Sequence, residues 1–169
     1  YGMGNLHSVS KALETVADSE KIIISSDLGV IKSSDKIVFP GVGAIKDCMA
    51  AFSEDLKETV LEEIGNRPTL AVCVGMQMLL GSSEENEGVK GLNILDGKVT
   101  KIKSSDEIKV PHMGWNKVRF LKDHFLFKNI PDSSFFYFVH SYCCLSSEDA
   151  STETEHGENF ISSFAKDNI

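Results

Sequence analysis

Residues 70–80 read LAVCVGMQMLL. The apolar run Leu70–Val72 predicts a short buried strand of the kind found in parallel sheets. A helical pattern follows, so Cys73 stands at the point where a strand turns into a helix. Such a turn is a nucleophile elbow, which pushes one side chain into a cleft beside helix N–H groups that stabilise an anion. Cys73 is therefore a candidate nucleophile, and the alternative is a buried cysteine that only packs. We expect Gly75 to lie where two backbones approach too closely for a Cβ.

The composition limits the possible partners and compartment. The chain has 169 residues, 41% of them hydrophobic, which is enough for one domain with its own core. The formal net charge of −8 argues against nucleic acid and anionic membranes as partners. No apolar run approaches the ~20 residues of a membrane helix. The spacing of the four cysteines fits neither a disulfide framework nor a zinc site, which predicts a reduced, cytoplasmic protein: Cys48, Cys73, Cys143 and Cys144.

The first half of the chain alternates between strand and helix patterns. A loop at Tyr1–Asn5 precedes a helical pattern that ends near Val16, and strands are predicted at Lys21–Ile24 and Lys36–Phe39. An amphipathic helix follows at Leu56–Ile64. This order predicts an α/β fold with a mostly parallel central sheet flanked by helices. Because a βα loop opens the sequence without its strand, we expect a first strand before Tyr1.

A glycine-rich loop, Pro40-Gly41-Val42-Gly43, follows one of these strands. Its spacing matches neither of the common phosphate-binding glycine motifs, which disfavours a phosphate cradle. A loop whose backbone N–H groups point at a reacting group is the better interpretation, and a simple tight turn is the alternative. In parallel sheets the active site lies at the carboxyl ends of the strands, so this loop and Cys73 are expected to face each other.

The second half predicts a smaller antiparallel portion. Strand patterns occur within 91–102, 108–120 and 135–144, and a last strand is expected at Phe160–Phe164. Residues 148–158 are acidic and rich in Ser and Thr, which predicts an exposed loop. Residues 110–116, VPHMGWN, are interpreted as a polar and aromatic loop with the only tryptophan. Trp115 is either an interface residue or a plug of the local core.

Six segments together resemble the class I (triad) glutamine amidotransferases, and within them the glutaminase subunits of imidazole glycerol phosphate synthases. They occur in the family's order and span essentially the whole chain, which predicts a single amidotransferase domain over residues 1–169. The CVGMQ segment indicates the superfamily, and PHMGWN with FVHSY narrows the resemblance. The segments are YGMGNL at 1–6, PGVG at 40–43, CVGMQ at 73–77, SEE at 83–85, VPHMGWN at 110–116 and FVHSY at 138–142.

The resemblance implies an activity and a partner. Glutamine would be hydrolysed to glutamate and ammonia, and the ammonia would pass to a cyclase subunit that makes imidazole glycerol phosphate in histidine biosynthesis, within a heterodimer. No cofactor or metal is implied. Cys73 would form a γ-glutamyl thioester, with oxyanion donors from Val74 and from the loop Gly41, Val42 and Gly43. Residues that would bind glutamine are Gln77, His140, Ser141 and Tyr142. Residues that would contact the cyclase are Asn5, Pro111, His112, Met113, Gly114, Trp115 and Asn116.

One part of the family pattern has no counterpart in the sequence. The triad His and Glu belong to a segment of the type QFHPEKS, which is expected just after Ile169. None of the five histidines matches that position: His7, His112, His124, His140 and His156. We therefore expect the natural chain to continue beyond Ile169. Two other readings remain open, a paralogous glutaminase that feeds another synthase and an inactive amidotransferase kept as a binding partner.

Overall fold

The computed structural model describes residues 1–169 and divides into two compact units. The first unit comprises Tyr1–Met78 with Asp167–Ile169, and the second comprises Leu79–Lys166. The boundary falls within the helix that follows Cys73. None of the helices has the length and apolar composition that a bilayer crossing requires.

The first unit surrounds a two-stranded parallel sheet. Asn5, Asp27 and Ser53 cap three of its helices, because each side chain accepts a hydrogen bond from an N–H of the first turn. Its strands are β1 (Ile37–Gly41) and β2 (Thr69–Cys73), paired in parallel. Its helices are α1 (Leu6–Val16), α2 (Leu28–Ser33), α3 (Ile45–Ala50), α4 (Glu54–Asn66) and α5 (Val74–Leu79), the last of which ends in the second unit.

Helix α4 supplies much of the core of the first unit. Leu56, Val60 and Ile64 recur every fourth residue and are buried, which confirms the predicted amphipathic helix. The helix ends at Asn66 because Arg67 has extended backbone angles and Pro68 follows. Phe39 of β1 is buried in the same unit.

The predicted strand at Lys21–Ile24 is wrong. Residues 21–27 form no strand, and Ile23 and Ile24 are each 55% exposed. The run has the apolar, β-branched composition of a strand, but a strand also needs a neighbour that accepts and donates its ladder hydrogen bonds. Here the segment instead lines an apolar cavity of about 380 Å³, with Leu13 and Phe39 on other parts of its wall.

The second unit is built on one eight-stranded sheet. The strand order is β4-β3-β5-β8-β10-β9-β6-β7, and β3 and β5 are its only parallel neighbours. The strands are β3 (Ser82–Ser83), β4 (Val89–Lys90), β5 (Lys98–Lys101), β6 (His112–Phe120), β7 (Ser134–His140), β8 (Tyr142–Cys144), β9 (Ala150–His156) and β10 (Glu158–Phe164). The α/β class is confirmed, but the antiparallel portion is larger than predicted. Short connections explain this difference, since the single residue Gly157 at φ 78° joins β9 to β10, whereas parallel neighbours need long crossovers.

The predicted exposed loop at 148–158 is also wrong, because most of it is strand β9. Ser151, Thr152 and Thr154 are buried, while Glu155 is exposed. The Thr152 hydroxyl lies 2.9 Å from that of Ser162 and 2.8 Å from that of Ser163, so its burial is compensated. The neighbouring strand predicted at Phe160–Phe164 is confirmed as part of β10.

Candidate active site

Cys73 ends β2, and α5 begins at the next residue. Its φ of 57° lies in the left-handed region, which residues with a Cβ adopt at a cost. The thiol is exposed, whereas Cys48, Cys143 and Cys144 are buried. A non-glycine residue held in this conformation between a strand and a helix is the backbone signature of a nucleophile elbow.

Two glycines make the turn possible. A Cβ added to Gly75 would lie 2.2 Å from the Phe39 carbonyl oxygen, and one added to Gly41 would lie 2.4 Å from the Gly75 nitrogen. Both distances are far below any real contact, so the backbones of the two segments touch at these positions. The expected close approach at Gly75 is confirmed.

The loop Gly41–Gly43 lies beside Cys73. Gly41 is the register partner of Cys73 in the parallel ladder, which places the start of the loop next to the elbow. Gly43 has a φ of 83°, a conformation that favours glycine. Val42 is 44% exposed, while Val74 on the other side of the elbow is buried. The oxyanion roles of these residues stay a prediction.

Sequence reasoning missed two side chains that hold this loop. The Tyr1 hydroxyl donates a hydrogen bond to the Pro40 carbonyl, and burial raises its pKa. The Cys48 thiol donates to the Val42 carbonyl with Sγ at 3.4 Å from the oxygen. Burial raises the pKa of Cys48 as well, so both groups keep the protons they donate. The sequence gives no signal for either contact, because the spacing of Tyr1 and Cys48 along the chain does not show that they lie close to the loop in space.

The predicted glutamine-binding residues lie in two parts of the chain. Gln77 is half-buried on α5, four residues after Cys73. His140 ends β7, Ser141 forms a bend and Tyr142 begins β8, all in the second unit. His140 Nδ1 lies 2.9 Å from the Tyr142 carbonyl oxygen, which closes this bend.

The segment predicted as the loop 110–116 is mainly strand β6, which begins at His112. Its side chains alternate between two faces, as in any strand. Met113 is 61% and Trp115 69% exposed, so the core-plug interpretation of Trp115 is wrong. His112 is only 5% exposed, and a partner contact from this strand would therefore come from its exposed neighbours.

The other members of the predicted interface have mixed environments. Pro111 is exposed, and Gly114 and Asn116 are half-buried. Asn5 is exposed, and its side chain caps α1 by accepting a hydrogen bond from the Ser8 N–H at 3.3 Å. No group of three or more His, Cys, Asp or Glu side chains is arranged to hold a metal ion.

Comparisons with known proteins agree with this geometry. Residues 5–168 match the family described as glutamine amidotransferase class-I. Imidazole glycerol phosphate synthase subunit HisH of Nitrosococcus oceani is 45% identical, with 100% of this chain and 83% of the relative covered. The protein of the same name from Pseudomonas syringae pv. syringae is 50% identical, with 84% of this chain and 69% of the relative covered.

A solved glutamine amidotransferase has the same fold. It aligns with a TM-score of 0.63 at 12% identity, covering 92% of this chain and 82% of that one. The family match over nearly all residues and the relatives at 45–50% identity agree on the same family for this chain. The chain belongs to the class-I glutamine amidotransferases and, within them, to the HisH subunits of imidazole glycerol phosphate synthases.

Proposed function

We propose that this chain is the glutaminase subunit of an imidazole glycerol phosphate synthase and hydrolyses glutamine to glutamate and ammonia. The observation that carries the proposal is the exposed Cys73, held at φ 57° between β2 and α5 beside Gly41. This strained position is maintained by the touching backbones at Gly41 and Gly75. Family membership supports the same assignment, since a cysteine at such an elbow is the nucleophile that amide transfer needs.

The proposed reaction at Cys73 is an acyl transfer through a thioester. The thiolate attacks the side-chain amide carbon of glutamine, and the carbonyl electron pair moves to oxygen. The carbonyl re-forms as the C–N bond breaks, the nitrogen takes the proton that was released when the thiolate formed, and ammonia leaves with a thioester remaining on Cys73. Water attacks the thioester carbon and gives up its two protons to solvent, the C–S bond breaks, and glutamate leaves with the thiolate regenerated.

The oxyanion formed in both steps needs N–H donors. We propose that Val74 supplies one, because its N–H follows the nucleophile directly at the start of α5. The loop Gly41–Gly43 supplies the other, supported by its register position next to Cys73. Gln77 is proposed to help position glutamine, and His140, Ser141 and Tyr142 are proposed to lie near its amino-acid end and contact it largely through their backbone.

The proposed partner is a cyclase subunit, supported by an exposed apolar surface on β6 and β7. We call this surface the aromatic face, and each of its members is between 56% and 69% exposed: Met113, Trp115, Phe135, Tyr137 and Val139. Register pairs Met113 with Val139 and Trp115 with Tyr137, so the five side chains share one side of the ladder. Contiguous apolar surface of this kind marks an interaction site.

The chemistry explains why such an interface should be apolar. Ammonia released at Cys73 is useful to a cyclase only as the neutral nucleophile, and water would protonate it. A closed, water-excluding interface keeps it neutral. We also propose a cytoplasmic location, which fits the four free cysteines.

The decisive variant is Cys73→Ala in the full-length protein with its cyclase partner. We expect glutamine-dependent synthesis to fall by more than about 10³-fold, because the thioester cannot form. Synthesis from added ammonia should stay at the parent level, since the thiol takes no part in the partner's reaction. Retained glutaminase activity would contradict the role of Cys73. A partner that acts on a different substrate from that of the cyclase would show that this chain supplies ammonia to another synthase.

A control for the same prediction uses the other three cysteines of the parent protein. Brief treatment with a glutamine-like electrophile should label Cys73 alone, because the other three thiols are buried. Mass spectrometry of the digested protein measures this directly. Equal labelling of Cys48 would show that reactivity does not depend on the elbow.

A further inference from the structure

A chain of hydrogen bonds in the second unit connects β6 to the bend after β7. His112 Nδ1 lies 2.8 Å from His140 Nε2, and the two residues are register partners. His140 Nδ1 lies 2.9 Å from the Tyr142 carbonyl oxygen. At the other end, Asn116 Nδ2 lies 3.1 Å from His112 Nε2. Each histidine ring therefore uses both of its nitrogens.

The acceptors at the two ends determine where the protons lie. The Tyr142 carbonyl only accepts, so His140 must carry a proton on Nδ1. Asn116 Nδ2 lies 2.8 Å from the Glu155 carbonyl oxygen, so it is the amide nitrogen and donates to His112 Nε2. His112 is then protonated on Nδ1 and donates to His140 Nε2. Both rings are neutral, and both are in the Nδ1–H tautomer.

The surroundings favour the neutral form of both rings. His112 is 5% exposed, and its ring stacks on Phe138 at 4.9 Å and on His156 at 4.1 Å between centroids. Burial lowers the pKa of His112 to about 4, with a smaller contribution from the nearby His156 and His140. Burial also lowers the pKa of His140, although the hydrogen bond to the Tyr142 carbonyl raises it in part.

The chain of bonds ends on the bend at Ser141. The Ser141 carbonyl accepts a hydrogen bond from the Ile102 N–H at 3.0 Å, which ties one peptide group of the bend to the sheet. The next carbonyl, that of Tyr142, is held by His140 instead. The backbone at this bend is therefore held on one side by β5 and on the other by the His140 side chain, which is itself bonded to His112.

We propose that His140, supported by His112, is a positioning residue for glutamine, and that this neutral two-histidine relay fixes the bend Ser141–Tyr142 in the orientation that binds the substrate. The inference rests on the proposed function, which makes this bend part of the glutamine site. His112 is assigned a role inside the chain, between Asn116 and His140, and not at the partner surface. The relay contributes to binding without touching the reacting atoms.

The test compares two substitutions of His140 in the full-length enzyme. His140→Leu removes the donor to Tyr142, and we expect KM for glutamine to rise at least about tenfold with kcat changed less than about threefold. That split is typical of lost binding that is equal in ground and transition states. In His140→Asn the side-chain amide nitrogen occupies a place similar to Nδ1 and donates to the same carbonyl, so KM should return to within about threefold of the parent.

His124→Leu is the matched control, because His124 caps the 3₁₀ turn Phe125–Phe127 outside the relay. It should leave KM unchanged. An unchanged KM in His140→Leu, with the parent enzyme active, would overturn the inference and leave the proposed function standing. An inactive parent enzyme would instead overturn the proposed function.

A second measurement does not depend on the variants folding. Correlation of ring ¹⁵N and ¹H signals by NMR in the parent protein near pH 7 reports which nitrogen carries the proton. Free neutral imidazole rings favour the Nε2–H form, so two Nδ1–H signals assigned to His112 and His140 would support the relay. A proton on Nε2 of either ring would overturn it.

Discussion

Cys73 and Gly75 meet different demands of the same turn. The role proposed for Cys73 requires a side chain, and this residue has a left-handed backbone at φ 57°. Gly75 needs no side chain, because the Phe39 carbonyl oxygen occupies the place of its Cβ. The strain at one residue is tolerated because the close approach at the other fixes the path of the backbone.

Gly75→Ala should therefore be costly. The added methyl group would meet backbone atoms of Phe39 and Pro40, which cannot rotate away as a side chain would. We expect the free energy of unfolding to fall by about 3 kcal/mol or more, at the upper end of overpacking effects. Urea denaturation followed by circular dichroism measures the change.

The control is Gly65→Ala near the end of α4, where nothing lies within 4 Å of the added methyl. Replacing a helical glycine there should be neutral or stabilise the protein by up to about 1 kcal/mol. A Gly75→Ala protein as stable as the parent would mean that the turn has room to relax.

At the scale of elements, Arg67 fastens α4 to α2. Its guanidinium bonds the Glu63 carboxylate one turn back and donates to the carbonyls of Ser34 and Lys32 at the end of α2. The Glu63 side chain is only 8% exposed, so this pair is poorly screened by water. One side chain thus satisfies carbonyls that the end of a short helix leaves open.

We expect Arg67→Ala to lower the free energy of unfolding by about 2–3 kcal/mol, the range for several hydrogen bonds to a charged group. Arg67→Lys should recover only part of the loss, since an ammonium group cannot span three acceptors. Lys57→Ala is the control, because its partner Glu54 is 82% exposed and the pair should contribute less than about 0.5 kcal/mol. Urea titrations of the three variants measure these free energies. Full recovery of stability in Arg67→Lys would contradict the role of the guanidinium in joining the two helices.

The elements that the sequence predicted well are those whose own residues decide their structure. Helix α4 has apolar residues at every fourth position, and β2 is a short apolar run with a turn signal after it. The position of β2 is confirmed, but its predicted burial is wrong, because Leu70 is 44% and Val72 39% exposed. The strand predicted at Lys21–Ile24 failed because pairing depends on a neighbour that the local sequence does not show. Strand β9 was missed because buried hydroxyls such as Thr152 look polar until their partners Ser162 and Ser163 are known.

The same distinction applies to the candidate site. Cys73 and the loop Gly41–Gly43 could be found because each follows a strand pattern directly. The relay could not be found, since His112 and His140 are 28 residues apart and the sequence shows neither their register nor their burial. Strand β6 also has two faces, and only the structure shows that His112 lies on the inner one and Trp115 on the outer one.

At the scale of the whole molecule, the candidate chemistry and the candidate recognition lie in different units. The first unit carries Cys73 and the loop Gly41–Gly43, and the second carries the aromatic face. A substitution on that face therefore tests the proposed partner binding without changing Cys73 or the loop Gly41–Gly43. Trp115 is the best choice, because its ring is the most exposed of the five and packs edge-on against Tyr137 at 5.6 Å.

We expect Trp115→Ala to weaken cyclase binding at least about 30-fold, which is the roughly 2 kcal/mol that defines a hot spot. The melting temperature of the isolated subunit should fall by less than about 3 °C, since an exposed ring contact contributes little to stability. Phe125→Ala is the control, because Phe125 is 76% exposed but lies outside the aromatic face, and its affinity should match the parent. Calorimetric titration with the cyclase and a thermal scan of each subunit separate the two effects. A Trp115→Ala subunit that binds normally but unfolds several degrees earlier would assign the tryptophan to the stability of the sheet. Replacing a residue that the partner contacts should instead lower the affinity for the cyclase while the fold is kept.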